Sequence, residues 1–412
     1  MERLIGIVGF FVLLGIAFLM CPKEDRKFID KRLVIVGILL QVVFALLILK
    51  TAPGRLLFEY ANGAVITLLD FTKKGSEFIF GGLVSNMGTF GFIFAFQVLP
   101  TIIFFSSLMS VLYYLGIMQL VVKGIAKVMV KLMGTSGSES LCAAANIFIG
   151  QTEAPLMIRP FLKNLTRSEM MAVMTAGMST ISAGVMASYV GMLRGSVPNI
   201  AGYLISASVM SAIGSLVFTK IIIPEKEESE TKGTLHISDD NDVSNVIEAA
   251  AKGASDGLTL ALNVAAMLLA FIAIIFMFNY IIGAVGGLFG YPKLSFELIM
   301  SWIFSPIAFI IGTPTQDIFS VSRLFGEKLI INEFVAYADM SQIAAGLSEK
   351  SKLIAAFGLC GFANLSSIAI QIGGIGSLAP NKRGQISELG VKAMIAATLV
   401  NCQAAAIAAL MF

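Results

Sequence analysis

Two acidic residues, Glu153 and Glu333, lie inside segments whose composition is otherwise that of a membrane interior. Each lies at a break marked by Gly, Pro or Asn, within residues 146–155 and 331–337. A carboxylate at that depth costs roughly 3 kcal/mol or more unless it faces a polar cavity or a partner. Two such costs in corresponding places predict a central binding site for a polar ligand.

The residues beside Glu153 suit a planar ligand that carries hydrogen-bond donors and acceptors. Gly150 and Pro155 bracket Gln151, Thr152 and Glu153, so the helix is interrupted and its backbone groups need other partners. The three side chains offer an amide, a hydroxyl and a carboxylate. This set fits the edge of a heteroaromatic ring such as a nucleobase. The alternative is a polar knot that ties two hairpin arms together.

A second set, built around Glu333, offers groups for vicinal hydroxyls. Its other members are Asn364, Ser366 and Ser367, which lie in a later apolar span. A carboxylate, an amide and hydroxyls together are typical of a sugar site, although Asn364 and the serines alone could also be packing contacts between spans. Phe362 could stack on a planar ligand or belong to the apolar core.

A cation site is also indicated near the first break. Asn146, Ile149, Ser179 and Thr180 surround positions at which helices are interrupted. Broken helices leave carbonyl oxygens free, and hydroxyls add further hard ligands for a cation. Because backbone ligands leave little trace in a sequence, these residues alone do not specify the ion.

Composition indicates a polytopic α-helical membrane protein. The 412 residues are 57% hydrophobic and only 13% charged, with a mean hydropathy of +0.87, which is too apolar for a soluble chain of this length. Lys and Arg are scattered, which argues against nucleic-acid binding. One histidine and four distant cysteines exclude a His-based catalytic centre and leave no metal-ligand spacing.

The pattern of apolar runs predicts eight spans with both termini outside. The first run ends at a basic turn, residues 22–32, which is typical of a cytoplasmic loop. Residues 52–85 suggest interfacial helices, and residues 224–256 suggest a solvated polar loop. Lys123, Lys127 and Lys131 follow the third span on one helix face. The predicted spans are residues 4–21, 33–49, 90–118, 168–190, 199–223, 258–287, 352–378 and 390–412.

Two stretches of the chain, residues 136–223 and 314–412, share one order of elements: a broken segment, an interrupted span and a span. Ser168-Glu169 follows Glu153 at the distance at which Ser348-Glu349 follows Glu333. Three predicted spans, residues 168–190, 199–223 and 258–287, lie between the start of the first copy and the start of the second, and because three is an odd number the copies would be inverted. Inverted repeats with discontinuous helices are the architecture of many secondary transporters.

Several long motifs resemble the concentrative nucleoside transporter family, close to its bacterial sodium-coupled members. The resemblance covers essentially the whole chain and keeps the order of the motifs. The motifs are Ala143-Ala-Ala-Asn-Ile-Phe148, Gly150-Gln-Thr-Glu-Ala-Pro-Leu-Met-Ile-Arg-Pro160, Asn332-Glu-Phe-Val-Ala-Tyr337, Cys360-Gly-Phe-Ala-Asn-Leu-Ser-Ser-Ile-Ala369 and Gly374-Ile-Gly-Ser-Leu-Ala-Pro380.

The resemblance implies an all-α homotrimeric transporter of the elevator type, with eight transmembrane helices and two re-entrant hairpins in inverted repeats. It would lie in the bacterial inner membrane as a multi-pass protein and import nucleosides, uridine-like and purine, with sodium and without a cofactor. The implied domains are scaffold and interfacial helices at 1–122, transport repeat 1 at 123–223, a polar loop at 224–256, a scaffold span at 257–291 and transport repeat 2 at 292–412.

By match of motif, the resemblance assigns residues to three parts of the site. The nucleobase would contact Gln151, Thr152, Glu153, Val185 and Phe362. The ribose would contact Glu333, Asn364 and Ser367, and sodium would contact Asn146, Ile149, Thr180 and Ile181.

One position departs from the family pattern, and two other classes of function remain as alternatives. Thr180 stands where a serine is expected in sodium-coupled relatives, so proton coupling in the same fold is the second reading. An intramembrane enzyme would use Glu153 and Glu333 as an acid/base pair, but the sequence offers no nucleophile, metal set or cofactor motif. A passive channel would need no cation site.

Overall fold

The computed structural model describes residues 2–86, 89, 93–235 and 243–412. Within these ranges the regular structure is helical, apart from one isolated β-bridge between Ser136 and Lys232. The predicted all-α class is therefore confirmed. Residues 90–92 of the predicted third span lie outside the described residues, as do His236 and three acidic residues of the polar loop, Asp239, Asp240 and Asp242.

The first third of the chain forms helices that precede the repeats. Residues 52–85, expected to be several interfacial helices, form one long helix and a single short turn. Gly116, in the left-handed conformation, ends the third span near Tyr114 rather than at residue 118. The helices are α1 (Glu2–Met20), α2 (Lys31–Lys50), α3 (Ala52–Phe80), α4 (Gly82–Ser85), α5 (Phe94–Gln97), α6 (Leu99–Tyr114) and α7 (Ile117–Met133).

The first repeat begins with a broken hairpin and continues with an interrupted helix pair. Its hairpin consists of α8 (Gly137–Ala145), an irregular turn and the 3-10 helix Ala154–Asn164. Its remaining helices are α9 (Arg167–Ser179), α10 (Ala183–Leu193) and α11 (Ile200–Ile222), and α12 (Val246–Leu288) then leads to the second repeat.

The second repeat has the same order of elements, which confirms the predicted duplication of two hairpins and two interrupted helices. Helix α13 (Phe296–Ile310) precedes this repeat, and the helices of the repeat are α14 (Ile318–Ile330), α15 (Glu333–Ile343), α16 (Glu349–Leu359), α17 (Leu365–Leu378) and α18 (Arg383–Met411). Helices α14 and α15 form the second hairpin, and α16 and α17 are the interrupted pair. Short 3-10 turns at Thr315–Asp317, Ala344–Gly346 and Pro380–Lys382 connect these elements.

Six helices of the described chain are long and apolar enough to cross a membrane. They correspond to six of the eight predicted spans. The other two predicted spans correspond to α1, whose apolar part is Ile5–Met20, and to the interrupted pair α16 and α17. The six are Lys31–Lys50, Phe94–Tyr114, Arg167–Leu193, Ile200–Ile222, Val246–Leu288 and Pro380–Met411.

Burial divides these helices into two classes. Helices α9, α11 and α18 are buried over most of their length and pack on one another. Helix α12 keeps most of its side chains exposed and packs mainly along α6. This contact is close because a Cβ on Gly257 would lie 2.8 Å from the Ile103 Cα, so only glycine allows it. Helix α12 therefore forms one wall beside the buried bundle.

The polar stretch of residues 224–256 differs from the solvated loop that its composition suggests. Helix α12 already begins at Val246, because the Asn245 side chain accepts a hydrogen bond from the Glu248 N–H (2.9 Å). Upstream, Thr231 is buried, and its carbonyl accepts from the Gly137 N–H (2.9 Å) at the start of α8. The part of the polar stretch around Thr231 therefore packs against the first hairpin.

Side-chain caps fix the ends of the short helices around the breaks. The Ser136–Glu139 pair forms a capping box at α8, and the Thr166–Glu169 pair forms another at α9. In the second repeat, Asp317 accepts hydrogen bonds from Ser348 and from Ser351 (both 2.7 Å), which ties the start of the hairpin to the start of α16. These caps allow helices of 9 to 13 residues to hold fixed positions.

Candidate functional site

The tips of both hairpins and the two helix interruptions surround a cavity of about 160 Å³. All eight residues predicted to contact a nucleoside line it, which brings together segments more than 200 positions apart. Ser366 also lines the cavity. The eight are Gln151, Thr152, Glu153, Val185, Glu333, Phe362, Asn364 and Ser367.

Glu333 is buried at the start of α15 and is held by two donors. The Tyr189 hydroxyl donates to its Oε1 (3.1 Å), and the Asn364 amide donates from Nδ2 to its Oε2 (2.9 Å). A carboxylate has about four lone-pair sites, so two sites remain for a ligand. Tyr189 is itself fixed, because its ring stacks on Tyr337 at 4.2 Å between centroids.

Asn364 caps a helix and also contacts the carboxylate. It is the N-cap of α17, and its Oδ1 accepts from the Ser367 N–H (2.9 Å) and the Ser366 hydroxyl (2.7 Å). The cap fixes the orientation of the amide, so that Nδ2 faces Glu333. The break in the span therefore places the Asn364 amide at the cavity and also fixes its orientation toward Glu333.

The first hairpin presents its polar residues to the same cavity. Gln151 donates from Nε2 to the Ser367 Oγ (3.1 Å), which joins the predicted nucleobase and ribose residues. Glu153 accepts from the Gly150 N–H, so it closes the turn at the tip of the hairpin. The turn is thus held by its own carboxylate, and one carboxylate oxygen remains available to the cavity.

The apolar part of the lining comes from both repeats and from α12. Val185 and Phe362 line the cavity, as predicted, and α12 contributes four residues that the sequence did not single out: Leu260, Val264, Met267 and Leu268. A larger cavity of about 420 Å³ adjoins it, and Glu153, Ser182 and Leu260 line both. Lys252 and Asp256, near the start of α12, lie in this outer cavity.

The predicted cation residues meet where the first hairpin touches the first interrupted helix. The Ala183 N–H donates to the Phe148 carbonyl (2.8 Å) and joins these two breaks. The Asn146 Nδ2 donates to the Cys142 carbonyl (2.9 Å), while its buried Oδ1 has no partner in the described part of the chain. A buried, unpartnered amide oxygen fits a hard cation.

The other predicted ligands differ in how their groups are used. The Thr180 hydroxyl donates to the Ala176 carbonyl (2.9 Å), which leaves its oxygen lone pairs free. Ile149 lines the outer cavity and Ile181 is buried. Ser179, a further candidate, has its carbonyl occupied by the Asn401 amide (2.7 Å), so that carbonyl is a structural acceptor.

The two helix interruptions are joined by residues that sequence reasoning missed. The Asn401 Nδ2 on α18 donates to the carbonyls of Ser179 and Cys360 (both 2.7 Å), one at each interruption. Lys328 donates to the Asn401 Oδ1 (2.6 Å) and the Gly358 carbonyl (2.9 Å). These side chains replace the helical hydrogen bonds that the breaks remove. In the sequence, the only feature that indicates a role for Asn401 and Lys328 is that each is a polar residue in or beside an apolar run.

Three regions of the chain match known families of nucleoside-handling proteins. Residues 8–83 and 203–409 match the N- and C-terminal regions of the Na⁺ dependent nucleoside transporters, and residues 95–195 match a region described as nucleoside recognition. The chain is 46% identical over 409 residues to the Bacillus subtilis uncharacterized transporter YutK, covering 99% of both chains. The chain belongs to the concentrative, Na⁺-dependent nucleoside transporter family.

Two further similarities extend this family assignment. The mouse sodium/nucleoside cotransporter 1 is 38% identical over 428 residues, which is 100% of this chain and 64% of the mouse protein. A structure of CNTnw in an inward-facing substrate-bound state has a TM-score of 0.93 and 44% identity, covering 100% of this chain and 98% of CNTnw.

Family membership confirms the broad predictions from the sequence. This concentrative nucleoside transporter homologue is a polytopic membrane transporter, and the family consists of transporters rather than enzymes. The enzyme alternative, with Glu153 and Glu333 as an acid/base pair, is therefore excluded. The roles of the individual site residues stay predictions.

Proposed function

We propose that this protein imports nucleosides together with sodium by alternating access. The observation that carries the proposal is the single cavity in which eight predicted contact residues from both repeats meet. The substrates would be uridine-like nucleosides and purine nucleosides. No cofactor is needed, because the ion gradient supplies the driving force.

The ribose would bind beside Glu333. Its two free lone-pair sites can accept hydrogen bonds from vicinal hydroxyls, and Ser367, whose backbone N–H donates to the Asn364 Oδ1, lines the same cavity. Charge-assisted hydrogen bonds contribute roughly 1.5–3 kcal/mol each. Ribose recognition would therefore supply a large share of the binding free energy, and a free base would bind poorly.

The nucleobase would occupy the part of the cavity between the first hairpin and the apolar lining. Gln151, Thr152 and Glu153 supply the polar edge, and Val185 and Phe362 pack on the faces of the ring. Purine and pyrimidine rings both present flat apolar faces, so these packing contacts tolerate either class.

Sodium would bind between the first hairpin and Thr180, through Asn146, Ile149, Thr180 and Ile181. The unpartnered Asn146 Oδ1 supports this assignment. An ion at this position would order the hairpin tip that presents Gln151, Thr152 and Glu153. Sodium would then raise nucleoside affinity, and nucleoside would raise sodium affinity by the same factor.

The transporter would work as a homotrimer in which each protomer has its own site. The exposed apolar face of α12 supports a role for this helix in the scaffold, against which the buried repeats would move as in an elevator. The outer cavity that adjoins Glu153 would then be the path by which substrate leaves one side of the membrane.

Counterflow in proteoliposomes tests whether the protein is a carrier. Vesicles preloaded with unlabelled uridine should transiently accumulate labelled uridine above its equilibrium level. A passive channel gives no such overshoot. Vesicles with Glu333→Gln protein serve as the site control and should show little accumulation.

A further inference from the structure

Gln371 lies one turn beyond Ser367 on α17 and is fully buried outside the cavity lining. Its Nε2 donates two hydrogen bonds, one to the Met174 carbonyl (2.9 Å) and one to the Gln151 Oε1 (3.0 Å). The residue therefore connects the backbone of α9 with the side chain at the tip of the first hairpin.

The Met174 carbonyl determines how both glutamine amides are oriented. A carbonyl oxygen only accepts, so Gln371 must turn its NH₂ group toward Met174 and Gln151. The Gln151 oxygen then faces Gln371, and its own NH₂ group faces Ser367 and the cavity. The usual ambiguity of an amide flip is thus resolved by a backbone group.

This orientation leaves a hydrogen-bond donor for the ligand. The Gln151 NH₂ group has two hydrogens, and the Ser367 Oγ accepts one of them. The second hydrogen is available to an acceptor in the cavity, and the Ser367 hydroxyl, which has no acceptor among the described residues, can donate its hydrogen as well. This side of the site therefore matches an acceptor atom and disfavours a donor.

We propose that Gln371 is a positioning residue that holds Gln151 as a hydrogen-bond donor, so that the site selects the acceptor next to the glycosidic bond. The proposal rests on the proposed function, in which Gln151 faces the base and Ser367 the ribose. That acceptor is O2 in pyrimidine nucleosides and N3 in purine nucleosides. One fixed donor thus serves both classes.

The close packing around Gly177 supports this arrangement. A Cβ on Gly177 would lie 2.8 Å from the Gln151 Cβ and 3.0 Å from the Gln371 Nε2. Only a glycine in α9 lets the two amides approach at this point. The Gln371 Oε1 is buried without a partner in the described chain, so the network is held in spite of an unsatisfied oxygen.

The test compares adenosine with 3-deazaadenosine, in which a C–H group replaces the N3 acceptor. The parent protein should bind adenosine about tenfold more tightly in isothermal titration, the value of one hydrogen bond of about 1.4 kcal/mol. In Gln371→Glu the buried carboxyl group has at most one hydrogen, which the Met174 carbonyl accepts, so nothing is left to donate to the Gln151 oxygen and Gln151 must reverse its amide. Relative to the parent, adenosine affinity should fall about tenfold and 3-deazaadenosine affinity should stay within about twofold. The ratio of the two affinities should therefore approach one.

Gln371→Met keeps the volume without the charge and provides a second variant in case the carboxylate prevents folding. It should lower the ratio of adenosine affinity to 3-deazaadenosine affinity to a value between that of the parent and one, because Gln151 is then free to rotate. In a Gln151→Met background, Gln371→Met should leave the ratio unchanged, since Gln371 acts through Gln151.

A structural role alone would lower both affinities equally and preserve the ratio, and that result would overturn the inference. A parent protein that binds adenosine and 3-deazaadenosine equally would overturn it as well. A parent that binds neither adenosine nor uridine would instead contradict the proposed function. The two failures are therefore distinguishable.

Discussion

Replacing Glu333 by Gln removes a buried charge while almost preserving the shape of the side chain. The two protein partners can both be kept, because the Gln oxygen can accept from the Asn364 Nδ2 and its NH₂ group can donate to the Tyr189 oxygen. We therefore expect the variant to fold. The change acts on the two lone-pair sites that the carboxylate leaves for a ligand.

The magnitude follows from those two sites. The amide offers one remaining acceptor site and one hydrogen where the carboxylate offered two acceptor sites. At least one charge-assisted hydrogen bond is lost, at roughly 1.5–3 kcal/mol, which corresponds to about tenfold to a hundredfold in affinity. Loss of both bonds would bring uridine binding below detection.

Isothermal titration of uridine into purified protein measures this effect. Glu327→Gln is the matched control, because Glu327 is a buried carboxylate of the same hairpin that pairs with Arg323 and does not line the cavity. The control should bind uridine as the parent does. If Glu333→Gln binds uridine within about twofold of the parent, Glu333 is structural and the ribose assignment is refuted.

Three further predictions concern the base, the ion and the second hairpin. Gln151→Ala and Glu153→Ala should change the ranking of nucleosides in competition assays, whereas a purely structural role would lower only the melting temperature. Thr180→Val should raise the sodium concentration for half-maximal uptake and leave maximal uptake nearly unchanged, because an oxygen ligand is lost at constant volume. Burial raises the pKa of Asp317, but hydrogen bonds from Ser348 and Ser351 outweigh it and hold that pKa below its usual value. The ionised Asp317 therefore stabilises the folded protein above a pH of about 4, and this contribution to the free energy of unfolding is lost as the pH falls through the lowered pKa. In Asp317→Asn, the melting temperature should no longer show this loss at acid pH.

Residues that break an apolar pattern made much of the site predictable. Glu153 and Glu333 are costly at membrane depth, and Asn364 stands at a break, so each of these residues signals a role. Tyr189 and Gln371 gave no comparable signal, because single polar groups within spans also occur as packing contacts. Their role depends on which helices meet, and local sequence does not determine that.

The same distinction applies to the fold. Long apolar runs predicted the spans, since length and composition suffice for that inference. The start of α12 was placed too late because polar residues were taken as a loop, although Asn245 and Glu248 form a cap. The buried position of Thr231 depends on contacts with α8, and composition alone does not reveal such contacts.

Uptake of labelled uridine into proteoliposomes under imposed gradients tests the central claim most directly. With sodium higher outside and no pH difference, uridine should accumulate above its outside concentration, and equal sodium on both sides should abolish the accumulation. Uptake that ignores sodium and follows an imposed pH gradient would contradict sodium coupling and identify a proton symporter. Uptake that only reaches equilibrium under either gradient would contradict coupled transport altogether.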